Sequence, residues 1–239
     1  EHIRQEYGVY GNTDYRQPAV EIIHRDGSRV CDFRYHSHEI SAGKPQLPGL
    51  PATYTEDGSE AETLTVVLKD PVSGISLCLN YTIFCRGGII ARSVRLSNEG
   101  TKEVHLAKVM SLCMDLPDSD YEMMQFSGAW ARERYVKKRR LEQGCQSVGS
   151  IRGNSSHNHN PFLVLKRPSA DEFQGEVMGF SLIYSGNFLA QVEVDTYDTS
   201  RVLLGIHPDW FDWKLEPGEA FQAPEAVMVY SWEGLNGMS

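Results

Sequence analysis

The first residues whose side chains could bind a ligand are Asp14, Tyr15 and Arg16. They lie in residues 1–17, a predicted loop rich in tyrosine and glycine. A carboxylate and a guanidinium can bind the hydroxyl groups of a sugar while the ring packs on its apolar face. The same two charges can equally pair with each other and hold the loop in place. Residue chemistry alone leaves both interpretations open.

Two histidine clusters have spacings that a metal ion could use. His36 and His38 stand two apart on a predicted strand, which puts both imidazoles on one face. The second cluster lies in residues 157–160 and offers His157 as a possible metal ligand. Either cluster would need a third ligand from elsewhere, and histidines paired on strands are more often hydrogen-bonded surface residues. Asparagine is a poor zinc ligand, so Asn160 suits a sugar hydroxyl or a hydrogen bond within the loop. We predict neither a metal nor a cofactor.

A polar stretch between Phe126 and Phe162 contains both Trp130 and a basic run at residues 137–140. Arginines two and four positions after Trp130 make it a poor core residue, and a large ring outside the core is typical of an interface or a sugar site. The basic run is typical of a solvated strand edge, where charge discourages aggregation. We predict that this stretch forms loops and edges at the working surface of a rigid scaffold.

Catalytic signatures are absent from the sequence. It contains no nucleophile elbow, no phosphate-binding P-loop, no His-Glu-x-x-His motif and no glycine-rich dinucleotide fingerprint. Glycosidase chemistry needs two carboxylates at a set separation in a cleft, and sequence spacing cannot show that separation in a sandwich. On its residues alone, the chain does not look like a complete enzyme.

Composition narrows the classes of partner. The formal net charge of −9 argues against nucleic acid, because phosphate binding needs a basic face. No apolar run approaches the ~20 residues of a membrane span. Five scattered cysteines without a C-x-x-C pair indicate neither a disulfide framework nor a zinc ribbon. We therefore expect a reducing compartment, no membrane and no nucleic acid.

The scaffold that must position these residues is predicted to be all β. In residues 75–85 every odd position is apolar or aromatic, the period of two that places one face of a strand on a core. Further strand patterns follow at short spacing, over residues 89–96, 104–114, 188–194, 202–206 and 226–230. Because no long amphipathic helical pattern interrupts them, we predict a large antiparallel β-sandwich, a single domain over residues 1–239.

Turn signals add detail to the scaffold. Asp26-Gly27 indicates a hairpin between residues 19–24 and 29–35, because both central positions of a tight primed turn need positive φ. Prolines and glycines in residues 43–51 keep that segment out of central strands. A second group of rings before a Pro-Gly turn is predicted to cap the core: Trp210, Phe211 and Trp213.

Six long motifs follow one another along nearly the whole chain. They are QEYGVYGNTDYRQPAVEI, FRYHSHEISAGKPQLPGLPATY, FSGAWARER, GSIRGNSSHNHNPFLVL, GFSLIYSGNFLAQVEV and FQAPEAVMVYSWEGLNGMS. In this order they resemble the N-terminal region of glycoside hydrolase family 36 α-galactosidases of the bacterial raffinose and melibiose type. That family begins with a large N-terminal β-sandwich, sometimes called a supersandwich, followed by a catalytic (β/α)8 barrel and a C-terminal β domain.

The resemblance implies a role without chemistry in this chain. Two aspartates on barrel strands perform the family's retaining hydrolysis of terminal α-galactosides, and the barrel and the C-terminal β domain are absent here. Both ends of the chain look like cuts in a longer polypeptide. No residue inherits a catalytic role.

The resemblance also implies partners for the sandwich. It should pack on the barrel of the same polypeptide, take part in a homotetramer in a bacterial cytoplasm and contribute loops to the rim around an α-galactoside. Candidates for rim or interface contacts are Asp14 and Arg16, then Trp130, His157 and Asn160. An alternative is a self-sufficient sandwich that binds galactosides without the barrel.

Overall fold

The computed structural model describes residues 4–238, which are almost entirely strand and loop. The strands of this part are β1 (Val20–Ile23), β2 (Arg34–Ala42), β3 (Ala61–Lys69), β4 (Ile75–Phe84), β5 (Ile89–Asn98), β6 (Val104–Leu116), β7 (Glu122–Ala129), β8 (Arg132–Arg140), β9 (Gly144–Ser150), β10 (His159–Lys166), β11 (Val177–Ile183), β12 (Phe188–Val194), β13 (Ser200–Ile206), β14 (Trp213–Leu215), β15 (Ala220–Gln222) and β16 (Glu225–Ser231). A short 3-10 helix, Leu235–Met238, follows them. Among the described residues, no helix is long and apolar enough to cross a membrane.

The strands form two antiparallel sheets. The smaller sheet has six strands in the order β1-β6-β13-β12-β9, with β14 also paired to β6. The larger has ten, in the order β2-β3-β4-β5-β16-β11-β10-β7-β8, with β15 paired to β5. Both edges of the larger sheet, β2 and β8, are exposed along nearly their whole length. The predicted all-β antiparallel sandwich is confirmed.

The core lies between the two sheets. Ile75, Leu77 and Leu79 of β4 pack in one cluster with Leu106 and Met110 of β6, and all five side chains are almost fully buried. The alternation that predicted β4 therefore has its expected effect, because apolar side chains on one face meet the opposite sheet. A second cluster fills the other half of the sandwich around Phe180 and Phe188.

The predicted first hairpin is wrong, although its turn exists. Gly27 has a φ of 84°, and the backbone N–H of His24 donates to the carbonyl of Ser28 at 2.9 Å. The strand before this turn, β1, pairs with β6 in the smaller sheet, whereas β2 pairs with β3 in the larger one. The turn thus opens a crossover between sheets, and turn chemistry alone does not say which strand will be the partner.

The stretch from Phe126 to Phe162 is mostly strand, and the predicted loops are confined to its turns. It includes the end of β7, all of β8 and β9 and the start of β10. The two phenylalanines stack with ring centroids 5.4 Å apart, because β7 and β10 are neighbours in the sheet. The basic run lies on β8, an exposed edge strand, which confirms the prediction of a solvated edge.

The aromatic group near residue 210 caps the core only in part. Trp210 is 90% exposed and Trp213 is about half exposed. Phe211 packs on the core, where it meets Phe221 edge to face at 5.6 Å. Trp213, on β14 at the margin of the smaller sheet, also lies against Phe221, with ring centroids 5.2 Å apart.

Candidate functional site

The Asp14–Arg16 motif lies in the loop of residues 1–17, of which the structure describes residues 4–17. The backbone N–H of Ala19 donates to the carbonyl of Gly8 at 2.8 Å, which closes the loop. Tyr7 is buried, and its hydroxyl donates to the carbonyl of Met110 at 2.6 Å. Thr13, with a φ of 67°, turns the backbone into the motif. The loop therefore has a defined path over the smaller sheet.

Asp14 and Arg16 bind each other below the surface. Arg16 Nε donates to Asp14 Oδ1 and Arg16 Nη2 donates to Asp14 Oδ2, both at 3.0 Å. The backbone N–H of Arg16 also donates to Asp14 Oδ1, at 3.1 Å. Both side chains are 6% exposed. Of the two interpretations left open by the sequence, the structure shows the pairing that holds the loop.

A second pair, Asp115 of β6 and Arg201 of β13, completes a four-residue network. Arg201 Nη2 donates to Asp14 Oδ2 at 2.7 Å, and Arg201 Nε donates to Asp115 Oδ1 at 2.7 Å. Arg16 Nη2 donates to Asp115 Oδ2 at 2.9 Å. Gly8 leaves room for the Arg201 guanidinium, since a Cβ at residue 8 would stand 2.6 Å from Nη1. Two carboxylates and two guanidiniums thus balance with no net charge.

Contacts within the network shift the pKa values of Asp14 and Arg201. Burial raises the pKa of Asp14, but hydrogen bonds from Arg16 and the charge of Arg201 outweigh it and lower that pKa from 3.8 to about 2. Burial lowers the pKa of Arg201, and the hydrogen bonds to Asp115 and the charges around it raise it above its ordinary value. Asp14 and Arg201 therefore stay charged near neutral pH. Such a network suits a structural clamp better than proton transfer.

The Tyr15 side chain points to solvent, unlike the charged side chains on either side of it. Its side chain is 91% exposed, whereas Asp14 and Arg16 on either side are buried. Because the residues on either side of Tyr15 are held, little backbone entropy is lost when something packs on its ring. Tyr15 is therefore the group of this motif that is available for contact.

Trp130 lies at the tip of the hairpin between β7 and β8. A two-residue turn joins the strands, and Ala131 in that turn has a φ of 62°. The Ala131 N–H donates to the carboxylate of Glu133 at 2.9 Å, which supports the turn. The Trp130 side chain is 84% exposed. The tip presents a large ring to the outside, as the sequence predicted.

The segment of His157 and Asn160 lies beside the same hairpin. His157 is exposed and Asn160, at the start of β10, is half-buried. The N–H of Gly128 donates to the carbonyl of Asn158 at 3.0 Å and joins the segment to β7. His159 Nδ1 lies 3.1 Å from the Ser127 hydroxyl oxygen. Burial and nearby arginines lower the pKa of His159, so this ring is neutral at pH 7.

The five candidate residues form two separate groups. The Ser200 hydroxyl, next to Arg201, donates to the carbonyl of Asp118 at 2.9 Å, which places the network near the start of β7. Trp130, His157 and Asn160 lie near the end of that strand. Eight residues at ~3.3 Å each make β7 about 26 Å long, so one small ligand cannot touch both groups.

Sequence reasoning missed Asp115 and Arg201, although a signal was available. Each is the charged residue of an otherwise mostly apolar strand pattern, SLCMDL and SRVLLGI. A charge in such a position is rarely buried unless it is paired. Two opposite charges of this kind in a sandwich predict an ion pair across strands, and Asp115 and Arg201 are indeed paired in register.

The histidines considered for a metal at residues 36 and 38 lie on the exposed strand β2. His38 Nδ1 is 2.6 Å from the Tyr35 hydroxyl, and His36 Nδ1 is 3.1 Å from the Ser37 hydroxyl. Both rings are hydrogen-bonded surface groups. Within residues 4–238, the one group of three metal-ligating side chains lies elsewhere, at His24, Cys31 and Asp70.

These features define a large two-sheet antiparallel β-sandwich with a salt-bridged loop near one end and an aromatic hairpin tip at the other. The chain belongs to the glycosyl hydrolase family 36 N-terminal domain family, whose model matches residues 1–216. Alpha-galactosidase AgaA of Geobacillus stearothermophilus is 52% identical over 98% of this chain and 32% of its own length. Alpha-galactosidase C of Emericella nidulans is 44% identical over 99% of this chain and 32% of its own.

Solved structures give the same relationship. The crystal structure of AgaA superposes with a TM-score of 0.97, over 98% of this chain and 33% of that one. The Lactobacillus brevis alpha-galactosidase, 43% identical, has a TM-score of 0.96 over 98% of this chain and 31% of that one. AgaA variants have been crystallised with raffinose and with stachyose. The chain spans about a third of the length of the relatives it matches.

Proposed function

We propose that this chain is the non-catalytic N-terminal domain of a retaining α-galactosidase that hydrolyses terminal α-galactosides such as raffinose and melibiose. The support is its membership of the family 36 N-terminal domain family and its coverage of about a third of α-galactosidase relatives. The family's two catalytic aspartates belong to barrel strands, so the chemistry falls to another part of the polypeptide. In this proposal the sandwich packs on that barrel.

The observation that carries the proposal is the buried network of Asp14, Arg16, Asp115 and Arg201 beneath an exposed Tyr15. Binding loops on rigid scaffolds need this combination, a backbone that cannot move and a side chain that faces outward. In this proposal Asp14 and Arg16 position the loop at the rim of the active site. Tyr15 would then contact substrate or the barrel.

Oligomerisation is the second task in this proposal. Trp130 at the hairpin tip is a large exposed ring, a type that is enriched at the centre of interfaces. His157 and Asn160 lie beside the same hairpin and would belong to the same contact. The exposed edge strands β2 and β8 supply further surface that a barrel or another subunit would cover. We propose a homotetramer built in part through these elements.

The place of action proposed is the cytoplasm of a bacterium. All five cysteines are free, and Cys31 and Cys113 are buried in the core. Free thiols of this kind persist in a reducing compartment. The alternative, a sandwich that binds galactosides alone, has less support, because Tyr15 and Trp130 are both highly exposed side chains.

The test is a comparison between this domain and the whole α-galactosidase. The domain alone should not release galactose from raffinose, and the full-length enzyme should. Co-expression of the domain with the remaining two-thirds of the polypeptide should yield a complex that purifies together. Hydrolysis by the domain alone, or a barrel that folds and assembles normally without it, would overturn the proposal.

A further inference from the structure

Three metal-ligating side chains of different types meet on the side of the sandwich near the first turn. The His24 imidazole, the Cys31 thiol and the Asp70 carboxylate each offer an atom, and these atoms lie within 4.8 Å of one another. The distance from Cys31 Sγ to His24 Nε2 is 3.7 Å. His24 follows β1 in the smaller sheet, whereas Asp70 follows β3 in the larger one. The cluster therefore stands between the two sheets.

The backbone around the cluster is already fixed. Asp70 begins the turn between β3 and β4, where its N–H donates to the carbonyl of Ile75 at 2.9 Å. Its carboxylate accepts one hydrogen bond per oxygen, from the N–H of Val72 and from the hydroxyl of Ser73. Each carboxylate oxygen has a second lone pair free for a cation. Asp70 can thus bind a metal ion without releasing its turn.

The distance between Cys31 and His24 suits tetrahedral coordination of a small divalent ion. A metal 2.3 Å from a thiolate sulfur and about 2.05 Å from an imidazole nitrogen holds the two ligand atoms about 3.5 Å apart. The observed 3.7 Å between Cys31 and His24 needs only a small movement. Thiolate, imidazole and carboxylate together are a zinc-type ligand set, because calcium and magnesium prefer oxygen alone.

Burial and access both suit a bound ion. Cys31 is 5% exposed and Asp70 is 2% exposed, so a cation would be largely shielded from competing water. His24 and Asp70 also line a pocket of about 470 Å³ that opens to solvent. The pocket gives an ion a path to the cluster. It also supplies water for a fourth coordination position.

We propose that His24, Cys31 and Asp70 form a site for Zn²⁺ or a similar divalent cation, which cross-links the two sheets. The ion joins the end of β1 to the end of β3, and Cys31 lies on the crossover between the sheets. Bound metal stabilises whichever state holds the ligands together, which here is the folded one. The role is structural, and it is independent of the function proposed for the whole domain.

A cysteine next to a histidine can also be a nucleophile, but this one is not set up for that chemistry. Burial, with a further contribution from Asp70, raises the pKa of Cys31 to about 12. The thiol is therefore protonated near neutral pH, and a nucleophile must be a thiolate. A metal ion displaces the thiol proton to solvent and binds the resulting thiolate. His24 must bind through Nε2, which gives up its contact with the carbonyl of Val30 at 3.1 Å.

Cobalt(II) titration tests the site, with Co²⁺ as the probe and Zn²⁺ as the competitor. The reference chain carries Cys85→Ser and Cys145→Ser, because those two thiols are exposed and would bind metal on their own. We expect one Co²⁺ per chain, with a sulfur-to-metal charge-transfer band that Zn²⁺ abolishes. Zn²⁺ should also raise the melting temperature of this chain.

Variants in the reference chain assign the ligands. Cys31→Ser should lose the charge-transfer band, and His24→Gln should weaken Co²⁺ binding by at least about 100-fold. His24→Gln should keep the fold, because that side chain is only half-buried at a strand end. His36→Gln, on the exposed strand β2, is the matched control and should bind Co²⁺ like the reference. No charge-transfer band at saturating Co²⁺, a band that survives Cys31→Ser, or a Co²⁺ affinity unchanged by His24→Gln would overturn the proposal.

Discussion

Arg201 binds Asp14 across 187 positions of sequence, with Nη2 donating to Asp14 Oδ2 at 2.7 Å. The arginine belongs to a central strand of the smaller sheet, and the aspartate belongs to the loop that precedes its edge strand. Because both side chains are nearly excluded from water, this contact ties the loop to the sheet more firmly than a surface ion pair could. The loop's conformation therefore depends on a strand formed late in the chain.

Arg201→Met should strongly destabilise the domain. The substitution leaves Asp14 and Asp115 with Arg16 as their shared cation, so one buried negative charge lacks compensation. Breaking a buried pair on one side costs about 3–5 kcal/mol. Urea unfolding measures the difference. Arg34→Met is the matched control, since Arg34 pairs with Asp32 in water, and it should leave the unfolding free energy nearly unchanged. Equal costs for the two variants would contradict this account.

Asp14 should make the domain sensitive to acid. Its folded pKa is about 2, below its ordinary value of 3.8. The unfolded chain therefore binds the proton more readily, and the stabilisation is complete above the ordinary value and lost as the pH falls through 2. The difference in unfolding free energy between the wild type and Asp14→Asn should shrink by about 2 kcal/mol between pH ~5 and pH ~2. A difference that stays constant over this range would show that Asp14 is not the titrating group.

Tyr15→Ala, introduced into the proposed full-length α-galactosidase, tests the rim role. Because the ring is exposed, its loss should change the unfolding free energy by less than about 0.5 kcal/mol. If the loop contacts the active site, kcat/KM for raffinose should fall about tenfold, which corresponds to ~1.4 kcal/mol. Tyr54→Ala, another exposed tyrosine, is the control for the loss of a ring. Unchanged kinetics for Tyr15→Ala would remove this loop from the rim.

Trp130→Ala should disturb assembly more than folding. The side chain is 84% exposed at a hairpin tip, so the isolated domain should keep its melting temperature within ~2 °C. In the full-length protein, sedimentation should show a shift towards smaller species. Trp210→Ala removes a tryptophan that is 90% exposed in another region and should leave the assembly intact. If the melting temperature of the isolated domain collapses, Trp130 has a structural role instead.

The fold could be predicted from the sequence because a half-buried strand has apolar residues at every second position. Ile75, Leu77 and Leu79 are predicted on one face and are buried on one face. The pairing of strands was predicted less well from the sequence. The Asp26-Gly27 turn is real, yet β1 pairs with β6, since partner choice is decided by contacts between distant segments.

The candidate site was less predictable for the same reason. Asp14 and Arg16 are close in sequence and were found, but their partners are 99 and 187 positions away. Exposure was equally hard to infer from residue type. The sequence predicts an interface position for Trp130 and a core-capping position for Trp210, whereas both side chains are largely exposed.

We propose that this domain supports an α-galactosidase without binding or cleaving the sugar alone. A binding isotherm of the 239-residue chain with raffinose, taken to millimolar concentration, tests it most directly. We predict no saturable heat, because Tyr15 and Trp130 lie on open surface that a barrel or a second subunit must complete. Saturable binding at millimolar concentration or tighter, abolished by Tyr15→Ala or Trp130→Ala, would contradict the account and establish a galactoside-binding module.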